Sequence, residues 1–518
     1  MTDSIQVAVR RAAAEFGARP AFRLGERTQS FTETLDRSLR LAVALEHLGC
    51  EVGSRVAIMA SNGPWFPELH FACAEAGMVE VLINLRFTTD ELTAYLARVR
   101  PEVVIAGADH IARARELQSS VPSVHTVIGL GDAAGAADHD YDALLARASA
   151  HERPIRDTSE PVLVCSTSGT SGAAKAVVHT PKATATGYGP LIERLDVDQS
   201  SHFVTGLPMY FAGAYSGWTM SFVAGAVQTI LPAFDPRAYV DLVEAVGGTH
   251  ALLGPAPVYM IMDVGIDLDR MRSLRYLSMG GAPTDPLRLR ALVDALGRRI
   301  AVQYAMTEVA VATVLVGDDF LEADGSFNAR HRSIGRPLDG LEVRLVDDEG
   351  GEVPFDGEAR GELELAGPYV TPGYLDNPDA NQEAYDGEWL RTGDVATIDA
   401  DRFVFIVDRK KDLIVSGGIN IAPIEVENVI AEHPDVVAAG VCGVPDPLYG
   451  EAVHAAVVRR PGAELTEDDV VQWVTERMAS VKKPRSVTFV DALPISSTGK
   501  LLRRQLRAAT TGESSAPA

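Results

Sequence analysis

The sequence predicts an α/β fold: a large N-terminal domain of doubly wound α/β subdomains with a small β-barrel attached, then a smaller α+β domain. Three observations carry this. Between Arg55 and Tyr304, short β-rich runs alternate with amphipathic stretches, the pattern of buried sheets flanked by helices. From about Gly340 the runs alternate apolar with polar residues and are punctuated by Gly and Asp, as in a small antiparallel sheet. Past Asp408 helical and strand patterns mix again.

Taken in order, Arg55–Ala60 is an apolar run of strand length, and Pro67–Gly77 reads as a helix that starts at a proline and stops at a glycine. Glu80–Asn84 is a second strand, Asp90–Val99 an amphipathic helix, and Val103–Ala106, Val162–Cys165, Tyr276–Met279 and Ile300–Tyr304 are further short apolar strands. Phe234-Asp235 is placed to open a helix. Leu341–Val346, Gly361–Leu365 and Arg402–Val407 show strand alternation. Ile424–His433 and Glu467–Met478 read as helices, Ala438–Val444 and Ala452–Arg459 as strands. Residues 508–518, rich in Ser, Thr, Gly, Pro and Ala, read as a disordered tail.

Composition narrows the function classes. The chain has 518 residues, 46% hydrophobic and 23% charged, which suits a soluble protein with a sizeable core and excludes disordered, fibrous and disulfide-scaffold chains. Its net charge of −24 disfavours binding to nucleic acids and anionic lipids. Cys50, Cys73, Cys165 and Cys442 have neither metal-ligand nor redox-pair spacing and suit a reducing compartment. Met1–Phe16 lacks the apolar core of a signal peptide, and no window reaches the ~18 apolar residues of a membrane span, so the cytoplasm is expected. Basic residues concentrate late in the chain: Lys410, Lys411, Lys482, Lys483, Arg485, Lys500, Arg503, Arg504 and Arg507. They read either as a solvated face or as a local site for a phosphate-rich small molecule.

Common motifs fail. Gly169 is followed five positions on by Ala174 and Lys175 by Ala176, so there is no Walker loop. Gly129–Ala134 fits a dinucleotide fingerprint only on paper, because no acid-terminated strand follows. No G-x-S-x-G elbow or H-E-x-x-H helix occurs. What remains is the segment from Ser166 to Lys175. Its Thr167, Ser168, Gly169, Thr170 and Ser171 directly follow an apolar strand, and Lys175 closes it. Such a loop offers free backbone N–H groups and hydroxyls to phosphate oxygens. A Ser/Gly linker is the bland reading of the same residues.

This loop resembles the T-S-G-T-T-G-x-P-K-G signature of the adenylate-forming superfamily, which holds acyl- and aryl-CoA synthetases, peptide-synthetase adenylation domains and luciferases. The resemblance recurs in order along nearly the whole chain. Gly280-Gly281-Ala282-Pro283 is similar to the adenine-pocket turn, and Gln303-Tyr304-Ala305-Met306-Thr307-Glu308 to Y-G-M-T-E. Arg391-Thr392-Gly393-Asp394 is similar to the ribose motif, and Asp408-Arg409-Lys410-Lys411-Asp412 to the interdomain hinge. Gly417-Gly418 and the Ser497-Thr498-Gly499-Lys500 loop complete the set.

The resemblance implies ATP, Mg²⁺ and coenzyme A as cofactors and a small carboxylic acid as substrate. It implies an adenylation domain over residues 1–408, a mobile domain over 409–507, and Lys411 as the hinge. The nucleotide would meet the phosphate loop with Lys175, Gly281, Ala282, Pro283 and Gln303. Tyr304 would stack on adenine, Thr307 would bond the α-phosphate, and Asp394 and Arg409 would take the ribose side. Glu308 is the implied Mg²⁺ ligand. Lys500 is the implied catalytic cation where carboxylate and α-phosphate meet, and Gly417 and Gly418 would line a pantetheine tunnel.

The chain departs from the family in its phosphate loop, where Ser171, Ala174 and Ala176 replace Thr, Pro and Gly. It departs again at Phe211, which stands where many relatives carry a histidine, and at Ala212, which stands where amino-acid-binding domains carry an aspartate. The acyl pocket is expected from Tyr210, Phe211, Gly254, Met279, Gly280, Met306 and Val309, an apolar set that favours an aromatic or medium-sized apolar acid. Other acceptors (a carrier-protein phosphopantetheine or an amine) and another activated oxyanion such as nitrite stay open. A non-catalytic nucleotide sensor is disfavoured by the joint presence of Glu308, Asp394, Arg409 and Lys500. Oligomeric state is open, with a homodimer compatible.

Overall fold

The computed structural model describes residues 4–167, 174–417, 419–495 and 501–511. Packing divides the chain into two units, Met1–Glu342 with Ala366–Glu388, and Val343–Leu365 with Trp389–Ala518. None of these boundaries falls at residue 408, where the hinge motif implied a division.

The first unit contains two sheets. One has eight strands in the order Gly373–Tyr374, Ala176–His179, Leu163–Ser166, Val79–Leu82, Arg55–Met59, Val103–Ala106, Thr126–Gly129 and His139–Asp140. The other has nine, in the order Arg336–Pro337, Thr313–Val316, Ile300–Tyr304, Tyr276–Gly280, His250–Leu253, His202–Thr205, Val227–Ile230, Pro20–Leu24 and Arg27–Ser30. Both centres are parallel; the nine-stranded sheet is antiparallel at both edges, and the eight-stranded sheet only at its Gly373–Tyr374 edge. The central strands are apolar on both faces because helices cover them, which is why they read as short continuous β-branched runs.

Two helices fill the space that joins the sheets. Trp65–Ala76 is buried all round and meets the first sheet through His70, whose Nδ1 lies 2.9 Å from Glu80 Oε2. Ala212–Val223 has no polar face and meets the second sheet where Phe222 stacks on Phe22 at 5.9 Å. The helices touch each other through Phe71 and Phe222, 4.9 Å apart. The second helix, apolar all round, has to be buried; the first buries Glu68, His70 and Glu75 by pairing them with Arg37, Glu80 and Arg10. Asp235 caps the helix Pro236–Val246 by accepting from Ala238 N–H, as its sequence position predicted.

In the second unit, Glu342–Val346, Gly361–Ala366, Trp389–Ile398 and Val404–Arg409 form a small sheet with antiparallel pairing. A second sheet of Ile419–Ile421, Ile414–Ser416, Gly450–Arg459, Val436–Asp446 and Ser486–Phe489 packs on the helices Pro423–Ala431 and Glu467–Thr475 over one apolar core. The last helix runs Arg503–Thr511 and buries Leu506. Ala508–Thr511, expected in the disordered tail, are instead its last turn, because two alanines continue a helix that Leu506 anchors in the core.

Candidate active site

Four of the expected site segments hang on one physical feature. In the nine-stranded sheet, the parallel strands ending at Thr205, Leu253, Gly280 and Tyr304 all point the same way. The chain leaves them through the Tyr210–Phe211 segment, Gly254, Gly281–Pro283 and Met306–Val309. The carboxyl ends of parallel strands are where an open α/β sheet presents its loops to a ligand. Gly281 has φ of +87° with open space around it, a turn suited to glycine. Gly254 precedes Pro255 at the start of the helix Pro255–Asp263 and lies against the Gly280 carbonyl. Tyr210 and Phe211 pack ring to ring at 4.6 Å just before the apolar helix.

The Met306–Ala310 turn is tight. Val309 and Ala310 both donate backbone N–H to the Met306 carbonyl, and Ala310 takes φ of +62°, the left-handed region that alanine rarely occupies. The turn places Glu308 in a buried position, 7% exposed, where its Oε1 accepts from Tyr374 O–H at 2.8 Å. Its main-chain carbonyl accepts from Thr371 N–H at 2.9 Å. Thr371 in turn contacts Tyr385, whose hydroxyl donates to the Thr371 carbonyl at 2.9 Å. Tyr374 belongs to the eight-stranded sheet, opposite Val177, so one hydrogen bond ties the two sheets together at Glu308. Burial and the neighbouring Glu308 carboxylate push the Tyr374 hydroxyl far above its ordinary value, so it stays a donor.

Tyr374 also carries a cation. Lys175 Nζ sits 4.6 Å from the centre of its ring. Thr167 and Lys175 close the base of the phosphate loop: Thr167 N–H donates to the Lys175 carbonyl at 2.9 Å, and Lys175 N–H donates to Thr167 Oγ1 at 3.0 Å. Ser168, Gly169, Thr170 and Ser171, expected to wrap phosphate, lie outside the described residues.

The donor set fits the implied magnesium ion in a limited way. Among the described residues no three carboxylate, histidine or cysteine side chains converge. Glu308 keeps Oε2 without a hydrogen bond among the described residues, so it would supply one oxygen to an ion otherwise held by phosphate and water, as magnesium commonly is.

Behind Glu308 the chain opens onto a narrow crevice. Val309, Val311, Tyr188, Tyr215 and His179 line its first part. His179 is 3% exposed, and burial lowers it to about 4, so its ring is neutral near pH 7. The crevice continues, sharing Leu191, Ser216 and Val311, into a second part lined by Gly217, Met220, Leu252, Ser278 and Gln303. Of the expected acyl-pocket residues, Val309 lines this crevice. Met279 is fully buried and alternates away from Ser278 and Gly280 to the other face of its strand. Gln303, expected at the nucleotide, lines the crevice, while Tyr304 alternates to the opposite face.

In the second unit, Asp394 and Arg409 are cross-strand partners, with Arg409 Nε 2.5 Å from Asp394 Oδ1. Asp394 is 3% exposed, and its turn is fixed by Thr392 Oγ1, which donates to the Leu363 carbonyl and accepts from Asp394 N–H. Asp408 accepts from Arg409 N–H at 2.7 Å and Ile424 N–H at 2.9 Å, so it staples the segment expected to be the hinge to the helix Pro423–Ala431. Lys411 is exposed in the short turn Lys410–Asp412. Gly417 has φ of +59° and donates to the Tyr449 carbonyl at 2.8 Å.

Gly418 and Lys500 lie outside the described residues. The residues flanking the lysine loop are held: Ile495 bridges Leu501, and Leu502 N–H donates to the Pro494 carbonyl at 2.8 Å. Much of the late basic cluster is neutralised locally. Lys410 pairs with Glu362, Lys482 with Glu425, Arg503 with Glu427 and Arg507 with Glu451. Sequence reasoning missed Tyr374, Gly217 and Ser278. Tyr374 offered only a Pro-Gly-Tyr turn signal, and the other two become visible only once strand and helix faces are known.

Residues 9–375 match the family model of AMP-binding enzymes, and residues 425–500 match that of the AMP-binding enzyme C-terminal domain. The chain belongs to this family and is an ATP-using, adenylate-forming enzyme. It is 34% identical to a feruloyl-CoA synthase from an Amycolatopsis species, over 94% of this chain and 95% of that protein. It is 31% identical to the fatty acid–[acyl-carrier-protein] ligase ScoC of Streptomyces coeruleorubidus, over 96% and 94%. Its fold matches that of ATP-bound MatB from Rhodopseudomonas palustris with a TM-score of 0.88, at 26% identity and 99% coverage of both chains. No helix among the described residues is long and apolar enough to cross a membrane.

Two outcomes follow from this geometry. Tyr374→Phe keeps the ring under Lys175 but removes the bond to Glu308, and should lower stability in urea titration by about 1.5–3 kcal/mol, the range for a hydrogen bond to a charged group. An unchanged midpoint would show that the bond holds nothing. The second concerns Glu427, pushed up from 4.5 to about 7 by burial against the opposing pull of Arg503. The folded form then holds a proton that the unfolded chain releases, so stability is fully present below about 4.5 and is lost as pH rises through about 7. The stability of wild type minus that of Glu427→Gln should fall over this window, and a flat difference would contradict it.

Proposed function

We propose that this enzyme activates an apolar carboxylic acid, aromatic or medium-sized, to its acyl-adenylate with release of pyrophosphate, and then transfers the acyl group to the thiol of coenzyme A. The observation that supports this best is the position of Glu308. It is bonded by the tyrosine whose ring carries Lys175, and an apolar crevice without charged side chains begins at the next residue, Val309. On this reading an anion-handling group stands next to apolar side chains that would meet an acid's body.

Each residue has a separable task. Lys175 offers a cation to the phosphates, steadied by the Tyr374 ring. Thr307 offers a hydroxyl to the α-phosphate, and Tyr304 a face to adenine. Asp394, with two acceptor oxygens, takes the ribose hydroxyls, and Arg409 orients it. Glu308 would hold magnesium, whose chemistry is to spread the charge of the phosphates. Attack of one carboxylate oxygen on the α-phosphorus forms the acid–phosphate bond and expels pyrophosphate. Lys500 acts there, where two anions approach and a positive charge lowers the barrier most. In the second step the thiol sulfur attacks the acyl carbon and AMP leaves with the bonding pair. Gly417 and Gly418 would line the path of the thiol's arm, and Lys411 would take up the backbone change between steps.

The relatives' names divide over the acceptor, a coenzyme A synthase on one side and a carrier-protein ligase on the other. Lys482, Arg503 and Arg507 are each paired with a carboxylate and so offer less charge to coenzyme A phosphates, which makes a carrier-protein phosphopantetheine the second reading.

Measuring the two half-reactions separately tests the scheme. Lys500→Ala should lose acid-dependent pyrophosphate release by about two orders of magnitude or more, as expected for a charge acting at the transition state. It should still convert supplied acyl-adenylate to thioester. Lys411→Pro, which fixes φ, should show the reverse pattern. Equal loss of both steps in both variants would contradict the assigned roles.

A further inference from the structure

Gln303 is an unusual wall for an apolar crevice. It lies on the strand Ile300–Tyr304, is 6% exposed, and its side-chain amide makes no hydrogen bond among the described residues. Ser278, on the next strand, is 3% exposed, lines the same crevice and likewise makes no side-chain hydrogen bond among the described residues. The register explains their meeting. Ser278 pairs with Ala301 and Gly280 with Gln303, so Ser278 and Gln303 rise from one face of the sheet two positions apart. Gly280 lacks the side chain that would crowd Gln303, since a Cβ there would lie 3.2 Å from Gln303 Cβ. On the opposite wall, Gly217 of the apolar helix leaves its backbone bare, and a Cβ there would meet only Leu252 at 3.4 Å.

Neither Gln303 nor Ser278 is among the fully sealed, unpartnered polar side chains of the described residues, so their polar ends stay open to the crevice they line. An amide and a hydroxyl open to one small space, with no protein partner, will bond whatever enters it. The partner's charge can be read from the lining, which contains no ionised side chain. Of its two histidines, His179 is neutral near pH 7, and His250 has both ring nitrogens occupied, by Thr249 Oγ1 and the Leu195 carbonyl at 2.8 Å each, with burial lowering its affinity for a proton. Ser216 is already committed to the Ala212 carbonyl. A second carboxylate or an ammonium would enter without a counter-ion. A neutral oxygen would not, because an amide both donates and accepts and so meets a hydroxyl or a carbonyl equally well.

We propose that the acid bears a neutral hydroxyl or carbonyl oxygen on its apolar body, and that Gln303, with Ser278, reads that oxygen. The inference rests on the acid-activating function above and moves Gln303 from the nucleotide to the acid. It makes Gln303 a specificity residue: a site built to bond an oxygen rejects the analogue lacking it more strongly than an apolar site rejects an added one.

The test uses acids paired so that one oxygen is the difference: 3-(4-hydroxyphenyl)propanoate with 3-phenylpropanoate, 8-hydroxyoctanoate with octanoate, and 7-oxooctanoate with octanoate. Pyrophosphate release gives kcat/KM for each. Wild type should favour the oxygenated member of at least one pair by tenfold or more. Gln303→Leu should close that gap chiefly by loss on the oxygenated member, through the KM for acid rather than the KM for ATP. Gln303→Asn should restore part of it. Ser278→Ala, a smaller change that serves if Gln303→Leu fails to fold, should narrow the same gap. Indifference of wild type within every pair would overturn the inference, as would a gap that survives Gln303→Leu and Ser278→Ala, or a variant that loses both members alike with a raised KM for ATP. Release from no acid at all would overturn the acid-activating function, and the inference with it.

Discussion

Glu308 is held from two sheets at once, and the site in the first unit depends on that hold. Its backbone comes from the turn that ends a strand of the nine-stranded sheet, and its side chain is bonded by Tyr374 of the eight-stranded sheet. The same tyrosine ring carries Lys175, so the position of the lysine and the position of the carboxylate are set by one residue. A chain that brings phosphate and carboxylate together needs its cation and its own carboxylate fixed relative to each other before substrate arrives. The tyrosine supplies a rigid spacer between them, with a ring for one and a hydroxyl for the other.

The chain carries a net charge of −24, yet its chemistry joins two anions. The structure resolves this by location rather than by overall charge. Lys410, Lys482, Arg503 and Arg507 are each matched to a carboxylate on a neighbouring element and serve the architecture of the second unit. Arg503 pairs with Glu427 just beyond the Lys500 segment, so the helix that follows that segment is anchored by charge as well as by Leu506. Part of the basic cluster visible in the sequence is thus structural.

Much of the architecture was legible in the sequence because buried parallel strands leave short β-branched runs. Val103–Ala106 and Ile300–Tyr304 fall where their patterns placed them, and Tyr276–Met279 extends by one residue. The helix Ala212–Val223 was not legible, since a helix without a polar face carries no period to detect. The order of the motifs identified the family before any geometry was known. The geometry then corrected particular side chains. Gln303 and Tyr304 are adjacent in one motif, but strand alternation sends them to opposite faces. Met279 likewise points away from its neighbours Ser278 and Gly280. A motif gives a position in the chain, and only the sheet gives the direction in which its side chain points. Tyr374 escaped notice for a related reason: its partners Lys175 and Glu308 are far from it in sequence and meet it only through pairing of the strand Gly373–Tyr374 with Ala176–His179.

Exchange of labelled pyrophosphate into ATP, measured over a panel of apolar acids and followed by addition of coenzyme A, addresses the central claim most directly. Exchange that requires an acid, and that gives way to an acyl thioester and AMP once coenzyme A is supplied, is the predicted result. Exchange that proceeds without any acid, or an acyl-adenylate that coenzyme A leaves untouched, would contradict it.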